Sequence, residues 1–364
     1  MKRVAIVHHT FPGLGGGERF VVAVIEALNS AGIVPDVFTR RPVGLALLKR
    51  TYGKEPSFNY RPVRRLLPYR GERLVLYRKV ATSLIFRPRG YDVVFNCAVG
   101  EFSPVKLGNT DGHFLYVFNP MFDWPKPERG AKLAYTKPFR TMVVSAVRAL
   151  RERVFVNSAY TARRVEGLWG VRPRVLYSPI DPLQFAPAAD GPRSGVISVG
   201  RFSPEKQQQL AIRITSKVEQ DTRLTLAGTT VTSDTAAWLA ALRALVKSSR
   251  QTVRVLPNLP FERLREELWK AKVFLHTFPQ EDLGLAPLEA IAAGCVPVVP
   301  DSGGNIETVP IRELRYRSTD EAAQLVGRAL RGEFDGYLPR LRAHLDTFSQ
   351  ARFQTDLLAA LRVP

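Results

Sequence analysis

The chain has 364 residues, 45% hydrophobic and 24% charged, a soluble globular balance with material for two cores rather than one. Its 53 Lys and Arg against 33 Asp and Glu give a formal net charge of +20, which favours anionic partners: nucleic acid, an acidic membrane surface or phosphorylated substrates. Two cysteines, Cys97 and Cys295, exclude a disulfide framework and a cysteine metal site, and apolar runs such as Phe20 to Leu28 are too short to span a bilayer.

In chain order, Met1-Lys2-Arg3 leads straight into the strand-like Val4 to His8, with no signal-peptide cleavage site, so the expected compartment is the cytoplasm. A loop, Phe11-Pro12-Gly13-Leu14-Gly15-Gly16-Gly17, and an amphipathic helix from Glu18 to Ser30 follow. With the strand from Pro35 to Thr39 they form a βαβ unit, the building block of a parallel sheet. Further strands are expected at Asp92 to Asn96, Phe114 to Phe118, Val154 to Asn157 and Arg174 to Tyr177, with helices at Phe139 to Arg151 and Ala159 to Leu168. The Pro-, Ala- and Gly-rich stretch after Asp181 reads as a linker at 183–194, between an N-terminal domain of residues 1–182 and a second domain of residues 195–347.

The second domain alternates again. Strands are expected at Val196 to Val199, Arg223 to Ala227, Val253 to Leu256, Val273 to His276 and Pro297 to Pro300. Helices are expected at Lys206 to Val218, Ala236 to Val246, Phe261 to Trp269 and Pro287 to Ala293. An apolar-faced helix, Ala351 to Leu361, falls in the final segment, 348–364.

Three segments carry chemistry. Glycines between a strand and a helix allow close backbone approach, and free amides at a helix start can hold an anion, which marks Gly15 and Gly16. The spacing is not the dinucleotide fingerprint, and Thr39-Arg40-Arg41 stands where an acid would bind ribose. After the strand ending at Val199, Arg201 and Lys206 flank a turn, two cations placed to meet a diphosphate. The richest segment runs from Pro279 to Ala290. It puts Glu281 on a loop, Gly284 and Leu285 at a helix start and Glu289 inside that helix, all at the mouth of a parallel sheet. Sugar and ribose hydroxyls would supply donors to those carboxylates.

Taken in order, Gly15-Gly16-Gly17-Glu18, Gly200-Arg201 with Lys206, Glu281 and Glu289 separated by seven residues, and Ser302-Gly303-Gly304-Asn305-Ile306-Glu307 resemble glycosyltransferase family 4. The stretch from Phe274 to Gly284 looks like the branch that transfers mannose from GDP-mannose to lipid-linked oligosaccharides. The resemblance implies the α/β GT-B fold: two Rossmann-like parallel-sheet domains facing a central cleft, with the C-terminal helix crossing back to the N-terminal domain. It implies a retaining enzyme using a nucleotide-sugar donor and a glycan or lipid-linked acceptor. Gly15 and Gly16 would lie against the donor phosphates, and Arg201 and Lys206 would neutralise the leaving diphosphate. Glu281 would bind sugar hydroxyls, Glu289 ribose hydroxyls, and amides at Gly284 and Leu285 would complete the phosphate site. UDP-glucose or UDP-N-acetylglucosamine donors, and a degenerate sugar-nucleotide-binding protein, are the alternatives.

The sequence departs from the family in one place. Many members carry a histidine after the strand ending at Phe118, where this chain has Asn119, and His113 precedes that strand. Asn119 can hydrogen-bond a sugar hydroxyl but cannot titrate. No Asp-x-Asp occurs and the histidines form no ligand pair, so neither a metal nor a cofactor beyond the sugar nucleotide is expected. Arg61 to Arg89 interleaves Arg64, Arg65, Arg73 and Arg78 with Leu, Tyr and Phe against a single acid, Glu72. That pattern suits peripheral attachment to an anionic membrane at its inner face. A nucleic-acid-binding protein would share the charge, but no nucleic-acid motif is present.

Overall fold

Val4–Val7, buried at every position, is the first strand, β1, and its burial on both sheet faces is what a central parallel strand requires. The computed structural model describes residues 2–8, 15–40, 48–49, 55–63, 88–98, 112–120, 130–187, 191–219, 222–230, 233–248 and 251–362. Within it the chain divides into two units. One is Met1–Ser178 with Phe353–Pro364, the other Pro179–Arg352.

In the first unit β1 is followed by helix α1 (Gly16–Ser30), β2 (Asp36–Thr39), β3 (Asn59–Pro62), β4 (Val93–Asn96), β5 (His113–Val117), α2 (Gly130–Leu150), β6 (Val154–Val156), α3 (Ala159–Trp169) and β7 (Arg174–Val175). The strand order is β3-β2-β1-β4-β5-β6-β7, parallel throughout. Helix α2 starts well before the expected Phe139 and runs through Pro138, which removes one amide donor without ending the helix. The unexpected strand is β3. All four of its residues are exposed and it lies at the sheet edge, so no apolar pattern announces it, and Pro62 is tolerated there.

The helix α11 (Gln350–Ala360) belongs largely to this first unit. Phe353, Leu357, Ala360 and Leu361 enter its core with Phe20, Phe95 and Tyr116. Phe20 stacks on Tyr116 at 3.8 Å and meets Phe353 edge-on at 5.4 Å, so one aromatic of α1 ties the sheet to the returning helix.

The second unit alternates as expected: β8 (Val196–Val199), α4 (Gln208–Thr215), β9 (Leu224–Gly228), α5 (Ser233–Ser248), β10 (Val253–Pro257), α6 (Phe261–Lys270), β11 (Val273–Leu275), α7 (Leu285–Ala292) and β12 (Val296–Pro300). To these the structure adds α8 (Asn305–Thr308), β13 (Arg315–Tyr316), α9 (Thr319–Leu330) and α10 (Leu338–His344). Its sheet has the order β10-β9-β8-β11-β12-β13, again parallel, which is the doubly wound Rossmann arrangement. The helix expected from Lys206 begins only at Gln208. Pro204–Lys206 is a single tight turn, and Gln207 at φ 51° breaks it from α4. Residues of the expected linker pack on this unit: Phe185 is fully buried against Phe261, and Trp269 Nε1 donates to its carbonyl at 2.7 Å.

Candidate active site of the second unit

In an open parallel sheet, loops leaving neighbouring strands in opposite directions open a crevice at the carboxyl ends. In the second unit that reversal lies between β8 and β11. The loop after β8 carries Arg201 and Lys206, and the loop after β11 carries His276 through Gly284, so the topology alone delivers these residues to one place.

The β8 loop is held along β9 by backbone bonds from Gly200 to Ala227 (3.0 Å) and from Phe202 to Thr229 (3.0 Å). It is pinned to the β11 loop by Thr277, whose hydroxyl donates to the Lys206 carbonyl at 2.7 Å. Across this junction Lys206 Nζ donates to Glu281 Oε2 at 2.6 Å, with the two side chains only 21% and 18% exposed. The ammonium also lies 4.5 Å from the Phe278 ring centroid, a cation–π contact. His276 Nε2 reaches the same carboxylate oxygen at 3.1 Å. Burial by itself would raise the Glu281 pKa. The His276 hydrogen bond and the Lys206 charge overcome it and hold the carboxyl down at about 2.

Behind Glu281 stands the glycine pair of the β12 loop. Gly304 donates its amide to the Glu281 carbonyl at 2.7 Å, and Ser302 donates its hydroxyl to the Pro279 carbonyl at 2.7 Å. Asn305, fully buried, donates Nδ2 to the Phe278 carbonyl at 3.2 Å. The β11 loop is thus clamped through its backbone carbonyls. Gly284 at φ 89° turns it into α7, with Leu285 as the first helical residue and Glu289, buried, on the next turn. A Cβ on Gly284 would crowd the Glu281 side chain at 3.2 Å, so glycine serves both the turn and the acid.

Of the expected site residues, Lys206, Glu281, Gly284, Leu285 and Glu289 share these two loops and the helix they open. Arg201 is on the β8 loop but pairs with Glu205 at 2.8 Å and is half exposed, so of the two cations only Lys206 is tied across to the β11 loop. The sequence carries His276 and Asn305 only within stretches that support the resemblance, with no role of their own, and does not single out Phe278. The signal that could find His276 is its place at the carboxyl end of a parallel strand.

The first unit answers two further expectations. His113 begins β5, pairing with Val94, so it sits at the amino end of the sheet and Asn119 beyond the carboxyl end. Burial and the Arg153 charge push the His113 imidazole down to about 4, as for a core histidine. It cannot stand in for a residue at the opposite rim. Asn119 is exposed at the carboxyl rim. At the start of α1 the Gly15 amide donates to Glu18 Oε2 at 2.8 Å, which satisfies one of the free amides at this helix start. Gly16 is the first residue of that helix. Glu18 lies 3.9 Å from His8 Nε2. Burial raises its pKa, but the His8 contact and backbone donors bring it below the ordinary value. Arg64, Arg65, Arg73 and Arg78 lie outside the described residues.

Residues 14–183 match the family described as Glycosyltransferase Family 4, and residues 180–325 match Glycosyl transferases group 1. Among curated proteins, the GDP-Man:Man(3)GlcNAc(2)-PP-Dol alpha-1,2-mannosyltransferase of Xenopus laevis is 28% identical over 42% of this chain and 34% of its own length. The human protein of the same name is 27% identical over 63% of this chain and 52% of its own. The chain thus spans a third to about half the length of these curated relatives. Among solved structures, HepE of Anabaena with UDP and glucose superposes with a TM-score of 0.75 at 12% identity, covering 100% of both chains. Sucrose-phosphate synthase of Thermosynechococcus elongatus gives 0.75 at 18% identity, covering 100% of this chain and 98% of that one. Both share the two-domain GT-B fold.

Proposed function

This chain belongs to glycosyltransferase family 4, and from that premise we propose that it is a retaining transferase carrying mannose from GDP-mannose to a lipid-linked glycan. The observation that carries the reading is the Lys206–Glu281–His276 cluster at the carboxyl-end crevice of the second sheet. A cation there meets a diphosphate, and an ionised carboxylate beside it accepts hydrogen bonds from sugar hydroxyls. Glu289, one helical turn inside α7, takes the ribose hydroxyls, and the Gly284 and Leu285 amides meet the phosphates at the helix start. Lys206, with Arg201 swinging from Glu205, neutralises the departing diphosphate, so no metal ion or other cofactor is needed. Asn119 hydrogen-bonds a hydroxyl of donor or acceptor. The likeness to mannosyltransferases acting on a dolichyl-linked glycan supports this donor and acceptor over UDP-glucose or UDP-N-acetylglucosamine.

The experiment is transfer from GDP-mannose to a polyprenyl-diphosphate-linked oligosaccharide in EDTA, with the product's anomeric signal read by NMR. The expected product keeps the donor's α configuration. An inverted product, or activity only with added divalent metal, counts against the mechanism, and turnover of UDP-sugars alone counts against the donor.

The acceptor places the enzyme at a membrane. Among the described residues no helix is long and apolar enough to cross one. The basic, apolar-interleaved segment between Arg61 and Arg89 supplies the attachment, at the cytoplasmic face. The chain should sediment with anionic but not zwitterionic vesicles, partly released by salt. Replacing Arg64, Arg65, Arg73 and Arg78 with Gln should abolish sedimentation and leave donor hydrolysis intact. Equal binding by the Gln variant would refute the assignment.

A further inference from the structure

Lys206 and His276 both address Oε2 of Glu281, at 2.6 and 3.1 Å. With its pKa held at about 2, the carboxylate is an acceptor only, so the Nε2 of His276 carries the hydrogen and donates. Both donors are anchored independently of the acid. The Lys206 carbonyl accepts from Thr277. His276 bonds through its amide to the Val298 carbonyl at 2.9 Å and through its carbonyl to the Tyr316 hydroxyl at 2.8 Å, and its ring lies parallel to Phe274 at 14°. The imidazole is nearly buried at 6% exposure and has little freedom to follow a moving partner.

The arrangement creates a conflict once a donor arrives. A diphosphate carries more negative charge than a carboxylate and draws the flexible lysine ammonium toward itself. Glu281, only 18% exposed, then loses its closest partner, and a part-buried carboxylate left without enough donors swings or takes up a proton. Either change removes the acceptor that the sugar hydroxyls need. The fixed imidazole is the group that remains on Oε2, and it leaves Oε1 to face the sugar.

We propose that His276 is a positioning residue: it holds the Glu281 carboxylate ionised and aimed at the donor sugar while Lys206 turns to the diphosphate. The proposal rests on the donor-site reading above and adds a division of labour within it. Lys206 serves the nucleotide, and His276 serves the sugar through Glu281.

The test compares the full-length parent with His276→Leu and His276→Gln in three measurements: melting temperature, GDP affinity by calorimetry, and turnover of GDP-mannose. His276→Leu is expected to bind GDP as the parent does but to lose about 100-fold in turnover, the scale of a reacting-group misplacement. His276→Gln restores most of that loss, because its amide donates to Oε2 from a similar reach. Should His276→Leu not fold, His276→Asn, whose shorter amide falls short of Oε2, replaces it. Parent-like turnover in the Leu variant overturns the proposal, as does a Gln variant as impaired as Leu. A fall in GDP affinity that matches the fall in turnover also overturns it, since that is the signature of general damage. If the parent itself binds neither GDP nor GDP-mannose, the donor-site reading fails and takes this proposal with it. An active parent with an equally active His276→Leu variant sinks the positioning role alone.

Discussion

Lys206→Ala should weaken GDP binding by roughly 30-fold, about 2 kcal/mol, the usual size of one charge-assisted hydrogen bond. Turnover should fall further, because the same ammonium meets the leaving diphosphate as its charge grows. The substitution also has a pH signature. In the parent, Glu281 has its pKa depressed from 4.5 to about 2, so its contribution to stability is fully present above 4.5 and is lost as pH falls through about 2. Without Lys206, burial is opposed by His276 alone, the folded pKa climbs, and the acid side of the stability curve weakens at a higher pH. Melting curves taken between about pH 3 and 7 and a GDP titration read both effects. Glu289→Ala is the contrast: it too should weaken GDP binding, through lost ribose contacts, with the Lys206–Glu281 pair left in place. A Lys206→Ala variant that binds GDP like the parent would misplace the diphosphate site.

Gly303→Ala should be more damaging to the fold than any charge change in the site. Gly303 sits at φ 65°, where an L side chain costs roughly 1–2 kcal/mol. An added Cβ would fall 2.7 Å from the Glu281 carbonyl oxygen and 2.8 Å from that of Pro279, both backbone atoms that cannot swing aside. Overpacking of that kind adds roughly 1–3 kcal/mol. A total of about 3 kcal/mol corresponds to a melting temperature lower by roughly 9 °C for a unit of this size. Glu281 is the residue displaced, so turnover falls with stability. A variant melting within a degree or two of the parent would mean that the two loops are not packed as described.

The second unit was legible as far as β12, and the reason is visible in its strands. Val196–Val199, Val273–Leu275 and Val296–Pro300 are short apolar runs buried on both faces, separated by turns and amphipathic helices, and that pattern has few other solutions. In the first unit, what escaped was structure without an apolar signature. Strand β3, Asn-Tyr-Arg-Pro, is wholly exposed and owes its place to pairing with β2. Helix α9 escaped although it carries a local signal, since Ser318 caps the Glu321 amide and the Glu321 carboxylate returns to the Arg317 amide. In the site, spacing revealed the acids, glycines and cations as a set. It could not reveal that Lys206 and Glu281 neutralise each other across 75 residues, because such a pairing depends on which loops a sheet brings side by side.

The helix Gln350–Ala360 has a consequence for how this chain comes to be folded on the ribosome. Phe353 and Leu357 fill the core of a unit whose other residues end at Ser178, and all of Pro179–Arg352 is made in between. At roughly 5–20 residues per second, the first sheet waits on the order of ten seconds or more for its last aromatic plug. During that interval Phe20 and Tyr116 border an unfilled apolar slot, the kind of surface that invites aggregation or chaperone capture. The first sheet therefore completes only after the second unit has been translated.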